Sequence, residues 1–205
     1  EDRMSSSGLR RWMKKQNITV AHLTPALGQI LTDGAGNLRQ RDKLTDLRYA
    51  FFGGDELSYA TTVEMKSIAP VVTCVNFYGT TETPQAMAYN KVSNVPDGTL
   101  RVPIGKGIDG VQLVVLNRAE QLASIGELGE LYVRTPYLAK GYTGNDELTR
   151  ERFIPNPHTD DATDRLYRTG DLATYQLDGT VTLVGRRDDQ VKVRGYRIEL
   201  VEIET

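Results

Sequence analysis

The sequence predicts an α/β protein with two successive sheet-containing portions and the start of a third. Continuous apolar strands alternate with helices in the first portion, which is typical of a parallel sheet covered on both faces. Short strands separated by turns follow, and this pattern is typical of an antiparallel, barrel-like sheet. A small α+β portion begins close to the C-terminus. We therefore predict portions at 1–98, 99–187 and 188–205.

The first portion alternates helix and strand along its length. Ser5 to Ser7 supply N-caps ahead of Leu9, Trp12 and Met13, which fall on one helical face. A proline can open a helix because its first turn needs no N–H there, which predicts a helix from Pro25 to Leu31. The other predicted elements are a loop at Asp33–Asn37, strands at Ile18–His22, Tyr49–Phe52 and Val71–Val75, and a helix at Tyr59–Ile68.

The second portion is predicted to consist of short strands joined by turns. Turn residues at Val95–Gly98 open it, and the turn Leu177–Gly179 joins its last two strands. One helix, at Asp146–Phe153, interrupts the strands. The predicted strands are Val111–Leu116, Gly129–Val133, Leu172–Tyr175 and Val181–Val184. This arrangement predicts an antiparallel sheet or an open barrel.

The composition argues against several classes of function. Of the 205 residues, 39% are hydrophobic and 25% are charged, and the net charge is −2 with both signs scattered. We therefore expect no nucleic-acid partner and no membrane association. The single cysteine, Cys74, allows no intrachain disulfide, which favours a reducing, cytoplasmic location. The N-terminus has no hydrophobic signal core, and we expect the sequence to be part of a larger chain.

Oxygen-bearing side chains cluster at Asn76–Thr83, directly after the third predicted strand. Open α/β sheets bind ligands at the carboxyl ends of their strands, and Gly79 lets the backbone approach a ligand closely. Three threonine hydroxyls and the Glu82 carboxylate suit phosphate contacts and Mg²⁺. The alternative is a threonine-rich turn that caps a strand, and the residues alone favour it. Considered alone, Asp55 and Asp171 are likewise better explained as turn or cap residues.

Three motif blocks, in this order, resemble one enzyme family. They are N-x-Y-G-x-T-E at Asn76–Glu82, Y-R-T-G-D at Tyr167–Asp171 and G-R-x-D-x-Q-V-K-x-R-G-x-R-I-E at Gly185–Glu199. The chain closely resembles the adenylate-forming, AMP-binding superfamily. That family includes the amino-acid adenylation domains of nonribosomal peptide synthetases, acyl-CoA synthetases, luciferases and aminoadipate reductases. The G-T-T-E-T form, with Thr80 where most members carry proline, resembles the aminoadipate reductases.

The resemblance implies a role for each residue that would contact adenine or ribose. Tyr78 matches the aromatic residue that stacks on adenine, and Asn76 matches the residue that binds the adenine amino group. Asp171 matches the carboxylate that accepts hydrogen bonds from the ribose hydroxyls, a task for which its oxygens are suited. Arg186 matches an arginine that reaches the sugar; the alternative is a surface arginine at a hairpin end. The other predicted nucleotide-binding residues are Gly54, Asp55 and Gly79.

The resemblance also implies the phosphate, metal and acid contacts. Thr81 would touch the α-phosphate and Glu82 would help to hold Mg²⁺, and we predict these two as catalytic residues. The alternatives for three of the pocket positions are core packing for Phe51 and Phe77 and a satisfied strand-end histidine for His22. The predicted acid pocket consists of His22, Phe51, Gly53, Phe77, Gln85 and Ala86.

Two further blocks receive conformational or structural roles from the resemblance. Asp188 would be the hinge about which a C-terminal portion swings. Lys192–Gly195 would then line a channel for the phosphopantetheine thiol of a partner carrier-protein domain. We assign a structural role to Gly126–Val133 and Leu138–Tyr142, because neither block supplies an obvious catalytic group.

The resemblance implies an ATP-dependent, acid-activating ligase. The chain would be part of an adenylation domain that converts a carboxylic acid, which we expect to be an amino acid, to acyl-AMP for transfer to a carrier thiol. The alternatives are an acyl-CoA synthetase-type ligase and a catalytically silent nucleotide-binding remnant. No phosphate loop ending in Pro-Lys-Gly precedes Asn76, and the family's C-terminal lysine does not follow the hinge. We therefore expect the 205 residues alone to be inactive.

Overall fold

The computed structural model describes residues 5–84, 86–93, 100–161, 163–187, 190–193 and 196–199. The chain divides into two compact units, each assembled from separate stretches of sequence. The first unit contains Glu1–Phe77, Asn90–Val102 and Lys192–Arg197, and the second contains Tyr78–Tyr89, Pro103–Val191 and Ile198–Thr205. The portion boundaries predicted from the sequence stay a prediction.

The helices of the first unit begin where the sequence supplies caps. Ser5 Oγ accepts a hydrogen bond from the Gly8 N–H at 3.1 Å, and Ser58 Oγ accepts one from the Thr61 N–H at 3.2 Å. Pro25 occupies the first turn of its helix, as expected. The helices are α1 at Ser6–Lys15, α2 at Pro25–Thr32 and α3 at Tyr59–Ile68, with 3-10 turns at Ala35–Asn37 and Gln40–Asp42. The first 3-10 turn lies inside the predicted loop.

Three parallel neighbours form the sheet core of the first unit. They are β1 at Val20–Leu23, β2 at Tyr49–Phe52 and β3 at Thr73–Tyr78, and both β1–β2 and β2–β3 are parallel. The parallel sheet is therefore confirmed. Two further strands, β4 at Ala88–Lys91 and β5 at Lys106–Gly107, pair with each other in the antiparallel direction.

The predicted bounds of two strands were wrong. The strand expected at Ile18–His22 runs from Val20 to Leu23, and the one expected at Val71–Val75 begins at Thr73 and ends at Tyr78. The second difference has a local cause. Pro70 lies in a turn closed by the Val72 N–H, which donates to the Ala69 carbonyl oxygen at 3.1 Å, so Val71 is 61% exposed. The polar residues after Val75 consequently belong to the strand.

The second unit contains an antiparallel sheet in the order β10-β9-β7-β6, and β8 also pairs with β9. No closed barrel is formed by the strands that the structure describes. The helix α4 begins at an Asn145 cap, whose side-chain oxygen accepts from the Leu148 N–H. The elements are β6 at Gln112–Leu116, β7 at Gly129–Arg134, α4 at Asp146–Arg152, β8 at Phe153–Pro155, β9 at Arg165–Tyr175 and β10 at Val181–Arg186.

The two last strands of this sheet extend further than expected. β9 begins at Arg165 rather than Leu172, and β10 ends at Arg186 rather than Val184. Charged residues interrupt the apolar pattern there, and the strands tolerate them because Arg168 pairs with Glu130 and Arg186 pairs with Asp171. Beyond them, β11 at Gln190–Val193 and β12 at Tyr196–Glu199 form a two-stranded sheet.

Each unit has its own apolar core. In the first, fully buried residues of α3 and the parallel strands include Phe52, Met65 and Ile68; in the second, Leu131 and Val133 of β7 are fully buried. Of the helices in the described part of the chain, none is long and apolar enough to span a bilayer. The mixed α/β class predicted from the sequence is confirmed.

Candidate functional site

Three aromatic rings from adjacent parallel strands lie together in the first unit. The rings of His22 and Phe51 are stacked with centroids 5.0 Å apart, and those of Phe51 and Phe77 are stacked at 4.9 Å. His22 is exposed and Phe51 and Phe77 are half-buried, whereas Ala50 and Phe52, on the opposite face of β2, are fully buried. Phe51 therefore lies on the face of the sheet opposite the buried core, where it can line a pocket.

Gly53 completes this group. A Cβ at position 53 would lie 3.6 Å from the Cβ of Phe77 and 3.7 Å from its carbonyl oxygen, so Gly53 lies directly beside Phe77. The structure thus brings together four of the six residues predicted for the acid pocket, in the first unit. Ala86 is half-buried in the second unit, and Gln85 lies outside the described residues.

The predicted adenine contacts of the first unit occupy the ends of β2 and β3. Asn76 is buried, and its Nδ2 donates to the Val102 carbonyl oxygen at 3.1 Å. Gly54 has φ of 87°, a value that favours glycine, and Asp55 Oδ1 accepts a hydrogen bond from the Glu56 N–H at 2.8 Å. In the structure Asp55 therefore stabilises the turn after β2.

A buried carboxylate lies at the centre of the predicted nucleotide contacts in the second unit. Asp171 is 2% exposed. The Tyr78 hydroxyl donates to Asp171 Oδ2 at 2.6 Å, and Arg186 Nη1 donates to Oδ1 at 2.6 Å. Three residues that the resemblance assigned separately to adenine and ribose are therefore in direct contact. An ionised carboxylate can accept about four hydrogen bonds, so both oxygens retain capacity for ribose hydroxyls.

The strand pairing around Asp171 is irregular on both sides of β9. Opposite β10, the register shifts between Leu183 and Gly185, so that Arg186 pairs directly with Asp171. On the other side of β9, the register with β7 shifts between Glu130 and Tyr132.

Gly170 lies in the second irregular stretch with φ of 77°. A residue with a Cβ rarely adopts that conformation, which explains the glycine before Asp171. The Thr169 side chain stabilises this irregular stretch of β9. Its hydroxyl donates to the Leu131 carbonyl oxygen of β7 at 2.7 Å and accepts from the Asp171 N–H at 3.0 Å.

The Tyr78 hydroxyl stays protonated in this environment. Burial raises the pKa of Tyr78 well above its ordinary value, and the charge of Asp171 and the hydrogen bond to it act in the same direction. The hydroxyl is therefore a permanent donor to the carboxylate near neutral pH. It restrains the orientation of Asp171 together with Arg186.

A second carboxylate, that of Glu82, is held by a segment that the sequence analysis treated as structural. Glu82 is 6% exposed, and the Tyr142 hydroxyl donates to its Oε1 at 2.6 Å. The Ala139 N–H donates to the Glu82 carbonyl oxygen at 3.0 Å. Among its neighbours, Thr81 is exposed and Gly79 is half-buried. Tyr142 was missed because its contact lies 60 residues away in sequence.

These residues fit Mg²⁺ and ATP. Within the described residues there is no cluster of three or more His, Cys, Asp or Glu side chains that could enclose a metal ion. Mg²⁺ in nucleotide sites is ordinarily bound by one or two carboxylates together with phosphate oxygens, and Glu82 offers such a carboxylate. Asp171 offers the acceptors that a ribose requires.

Close to Asp171, a buried glutamate joins two arginines. Glu130 Oε1 accepts from Arg168 Nε at 2.8 Å, and its Oε2 accepts from Arg187 Nη1 at 2.7 Å. Burial acts to raise the pKa of Glu130, but hydrogen bonds from Arg168 and Arg187 outweigh it and hold the pKa below its usual value. These two ion pairs connect Glu130 of β7 to Arg168 of β9 and to Arg187, which directly follows β10.

We expect Glu130 to stabilise the protein at neutral pH and to lose that effect in acid. Because its folded-state pKa is lowered, the stabilisation is complete above the unfolded pKa, near 4.5, and disappears as pH falls through the folded value. Glu130→Gln should therefore lower the free energy of unfolding at pH 7 by about 2 kcal/mol. The difference in the free energy of unfolding between Glu130→Gln and the wild type should become smaller below about pH 4.

Denaturant unfolding of both proteins at pH 7 and at about pH 3.5 checks this expectation. Glu56→Gln is the matched control, because Glu56 forms an exposed pair with Arg101 and such pairs contribute little. A gap between wild type and Glu130→Gln that stays the same at both pH values would contradict the role given to the ionised carboxylate.

Comparisons with known proteins identify the family. The family model for "AMP-binding enzyme" matches residues 1–143. The L-2-aminoadipate reductase of Schizosaccharomyces pombe is 39% identical over 233 aligned positions, which cover 100% of this chain and 16% of the reductase. The chain thus spans about a sixth of the length of that relative.

Solved structures show the same similarity. PA1221, described as a nonribosomal peptide synthetase protein that contains adenylation and PCP domains, matches with a TM-score of 0.84 and 32% identity over 98% of this chain and 34% of its own. The Vibrio cholerae adenylation domain AlmE, solved with glycyl-adenosine-5'-phosphate, matches with a TM-score of 0.82 and 26% identity over 97% of this chain and 37% of its own. From the motifs, the fold and these matches, we conclude that the chain belongs to the AMP-binding enzyme family and corresponds to part of an adenylation domain.

Proposed function

We propose that the chain contributes the nucleotide-binding part of a domain that activates a small carboxylic acid, an amino acid by preference, with ATP. The products would be acyl-AMP and pyrophosphate. The observation that carries the proposal is the buried Asp171 carboxylate, which Tyr78 and Arg186 orient from two sides. AlmE, a structural neighbour of this chain, has been solved with an aminoacyl-adenylate, and this supports the same ligand class here.

Each residue has a distinct task in this proposal. Asp171 accepts hydrogen bonds from the ribose hydroxyls, and Arg186 orients that carboxylate by its 2.6 Å contact. Thr81, which is exposed in the turn before Glu82, would donate its hydroxyl to the α-phosphate. Glu82 would bind Mg²⁺, which supplies neutralisation of phosphate charge when bound. The stacking of Tyr78 on adenine stays a prediction.

The acid pocket would be lined, in the first unit, by the aromatic group of His22, Phe51 and Phe77. Their stacked rings form an apolar wall, which suits the non-reacting part of an organic acid. Gly53 keeps space open beside Phe77, because a Cβ there would lie against the Cβ and the carbonyl oxygen of that residue. This pocket assignment distinguishes the acid site from the nucleotide residues around Asp171.

A carrier domain bearing phosphopantetheine is the proposed acceptor of the acyl group. PA1221, which contains adenylation and PCP domains, supports this partner. The predicted hinge, Asp188, lies outside the described residues, as do Arg194 and Gly195 of the proposed thiol channel. The hinge therefore stays a prediction. The cytoplasmic location is also a prediction.

The test compares nucleotide binding with turnover. We expect a full-length protein that carries this chain to bind AMP and to catalyse acid-dependent pyrophosphate exchange. The 205 residues alone should show no exchange, because the sequence has no phosphate loop ending in Pro-Lys-Gly. Removal of one such electrostatic group costs about 3–4 kcal/mol of barrier, or roughly 10²–10³ in rate.

The outcomes separate the alternatives. Absence of AMP binding would identify a structural module, and AMP binding by a full-length protein without exchange for any acid would identify a silent remnant. Transfer of the acyl group to free coenzyme A rather than to a carrier domain would identify an acyl-CoA synthetase. Exchange by the 205 residues at the rate of the full-length protein would show that the phosphate loop is dispensable.

A further inference from the structure

We propose that Tyr142 is a positioning residue for the Glu82 carboxylate and thereby sets the affinity for the Mg²⁺–nucleotide pair. This inference rests on the proposed function, in which Glu82 binds that ion. Tyr142 does not match any of the nucleotide-contacting motifs. Its hydroxyl nevertheless makes a 2.6 Å hydrogen bond to Glu82 Oε1, which is in the range of charge-assisted hydrogen bonds between a hydroxyl and a carboxylate.

The segment around Tyr142 holds Glu82 at two points. Besides the hydroxyl contact to the side chain, the Ala139 N–H donates to the Glu82 backbone carbonyl oxygen at 3.0 Å. The turn that carries Glu82 is closed independently, since the Thr83 N–H donates to the Thr80 carbonyl oxygen at 3.2 Å. Backbone and carboxylate of Glu82 are therefore both restrained, and the second restraint depends on Tyr142.

Tyr142 is itself rigidly placed. Its N–H donates to Thr149 Oγ1 at 2.9 Å, and Thr149 Oγ1 donates to the Asn145 carbonyl oxygen at 2.8 Å. Its ring meets the Phe153 ring edge-on with centroids 5.7 Å apart. The adjacent Gly141 has φ of 153°, and a Cβ there would clash with the Thr149 side chain. The hydroxyl position is thus determined by α4 and its cap.

A further tyrosine, Tyr167, lies beside the hydrogen bond between Tyr142 and Glu82. The Tyr167 side chain is fully buried and lies close to both Tyr142 and Glu82, and burial, followed by these neighbours, raises its pKa above the ordinary value. The Glu82 carboxylate therefore lies in buried surroundings, where the Tyr142 hydroxyl donates to it. A hydrogen bond from Tyr142 occupies one acceptor position of Oε1 and orients the plane of the carboxylate for an ion.

The experiment measures binding rather than turnover. Dissociation constants are determined by calorimetry on the full-length protein for two probes: AMP without metal, and Mg²⁺ with the non-hydrolysable analogue AMPPNP. We expect Tyr142→Phe to weaken the Mg²⁺–AMPPNP probe about 10-fold, as is typical when the partner of a metal ligand is lost. Its affinity for metal-free AMP should match that of the wild type.

The matched control is Tyr132→Phe. It also removes a tyrosine hydroxyl beside a buried carboxylate, since Tyr132 lies 3.4 Å from Glu130 Oε2, but it does not touch Glu82. A double-mutant cycle adds Glu82→Gln, in whose background Tyr142→Phe should have no further effect on the Mg²⁺ probe. If Tyr142→Phe does not fold, Thr149→Val, which removes the acceptor of the Tyr142 N–H, should weaken the same probe in the same direction.

The results distinguish this inference from the function on which it rests. A wild-type protein that does not bind AMP overturns the proposed function. In the other case the wild type binds both probes, and Tyr142→Phe or its substitute Thr149→Val binds Mg²⁺–AMPPNP as tightly as the wild type. That result overturns only the positioning role. Equal weakening of both probes, or equal weakening by Tyr132→Phe, also overturns it, because the effect would then be a general loss of structure.

Discussion

Asp171→Ala in a full-length protein that carries this chain is expected to weaken AMP binding by about 10²- to 10⁴-fold. Each hydrogen bond from a ribose hydroxyl to a charged carboxylate contributes about 1.5–3 kcal/mol, and two of them would be lost. At 1.4 kcal/mol for each factor of ten, this loss corresponds to the stated range. Acid-dependent pyrophosphate exchange should fall in parallel at subsaturating ATP.

The same substitution should also destabilise the fold. Asp171 is buried between Tyr78 and Arg186, so its removal leaves a guanidinium and a hydroxyl without the carboxylate they contact. Breaking a buried pair in this way costs about 3–5 kcal/mol. Binding must therefore be measured at a temperature at which circular dichroism shows the variant to be folded.

A matched control separates the two effects. Asp164→Ala also breaks a carboxylate–guanidinium pair in the second unit, because Asp164 accepts from Arg134 at 2.8 Å. It should leave the affinity for AMP unchanged. If Asp171→Ala, once folded, binds AMP as tightly as Asp164→Ala does, Asp171 holds the sheet together and has no role in ribose binding.

Gly129→Ala is expected to cause a large loss of stability without removing any polar side chain. A Cβ at position 129 would lie 2.5 Å from the Leu116 carbonyl oxygen and 2.8 Å from the carbon of that carbonyl. These are backbone atoms of the paired strand β6, so they cannot rotate away and the two strands must separate locally. We expect the free energy of unfolding to fall by about 3 kcal/mol. The melting temperature should fall by about 6–12 °C for a chain of this size.

Gly185→Ala provides the control for this effect. Gly185 lies in β10 of the same sheet, but a Cβ there would meet no atom within 4 Å. Its melting temperature should differ little from that of the wild type, since exposed substitutions usually change stability by at most about 0.5 kcal/mol. Thermal unfolding of both variants by calorimetry decides the matter. Similar melting temperatures for the two variants would show that β6 and β7 can separate without cost.

Local sequence signals were sufficient for several elements. The helix α3 and the strand β2 have the predicted bounds, because a Ser58 cap determines the start of α3 and two glycines directly after a short apolar run determine the end of β2. Pro25 likewise determined the start of α2. Where a strand contains charged residues, as β9 and β10 do, the apolar pattern predicted a strand that was too short. A partner on another strand decides whether the charge can be accommodated.

The sequence by itself determined the chemical groups of this protein: the Asp171 carboxylate, the Arg186 guanidinium, the Tyr78 hydroxyl and the Glu82 carboxylate. It also determined the family, because the motif blocks retain their order along the chain. Only the tertiary structure decided which groups touch. Tyr78 meets Asp171 across 93 residues, and Tyr142 meets Glu82 across 60.

The physical reason is register. Pairing of β9 with β10 places Val181 opposite Tyr175 and Leu183 opposite Ala173, and an unbroken ladder would place Gly185 opposite Asp171. The irregularity at Val184 moves the ladder by one residue and brings Arg186 there instead. A shift of one residue reverses the face on which every later side chain lies, and no local propensity encodes it. The Asp171–Arg186 pair thus depends on how β7, β9 and β10 pack together.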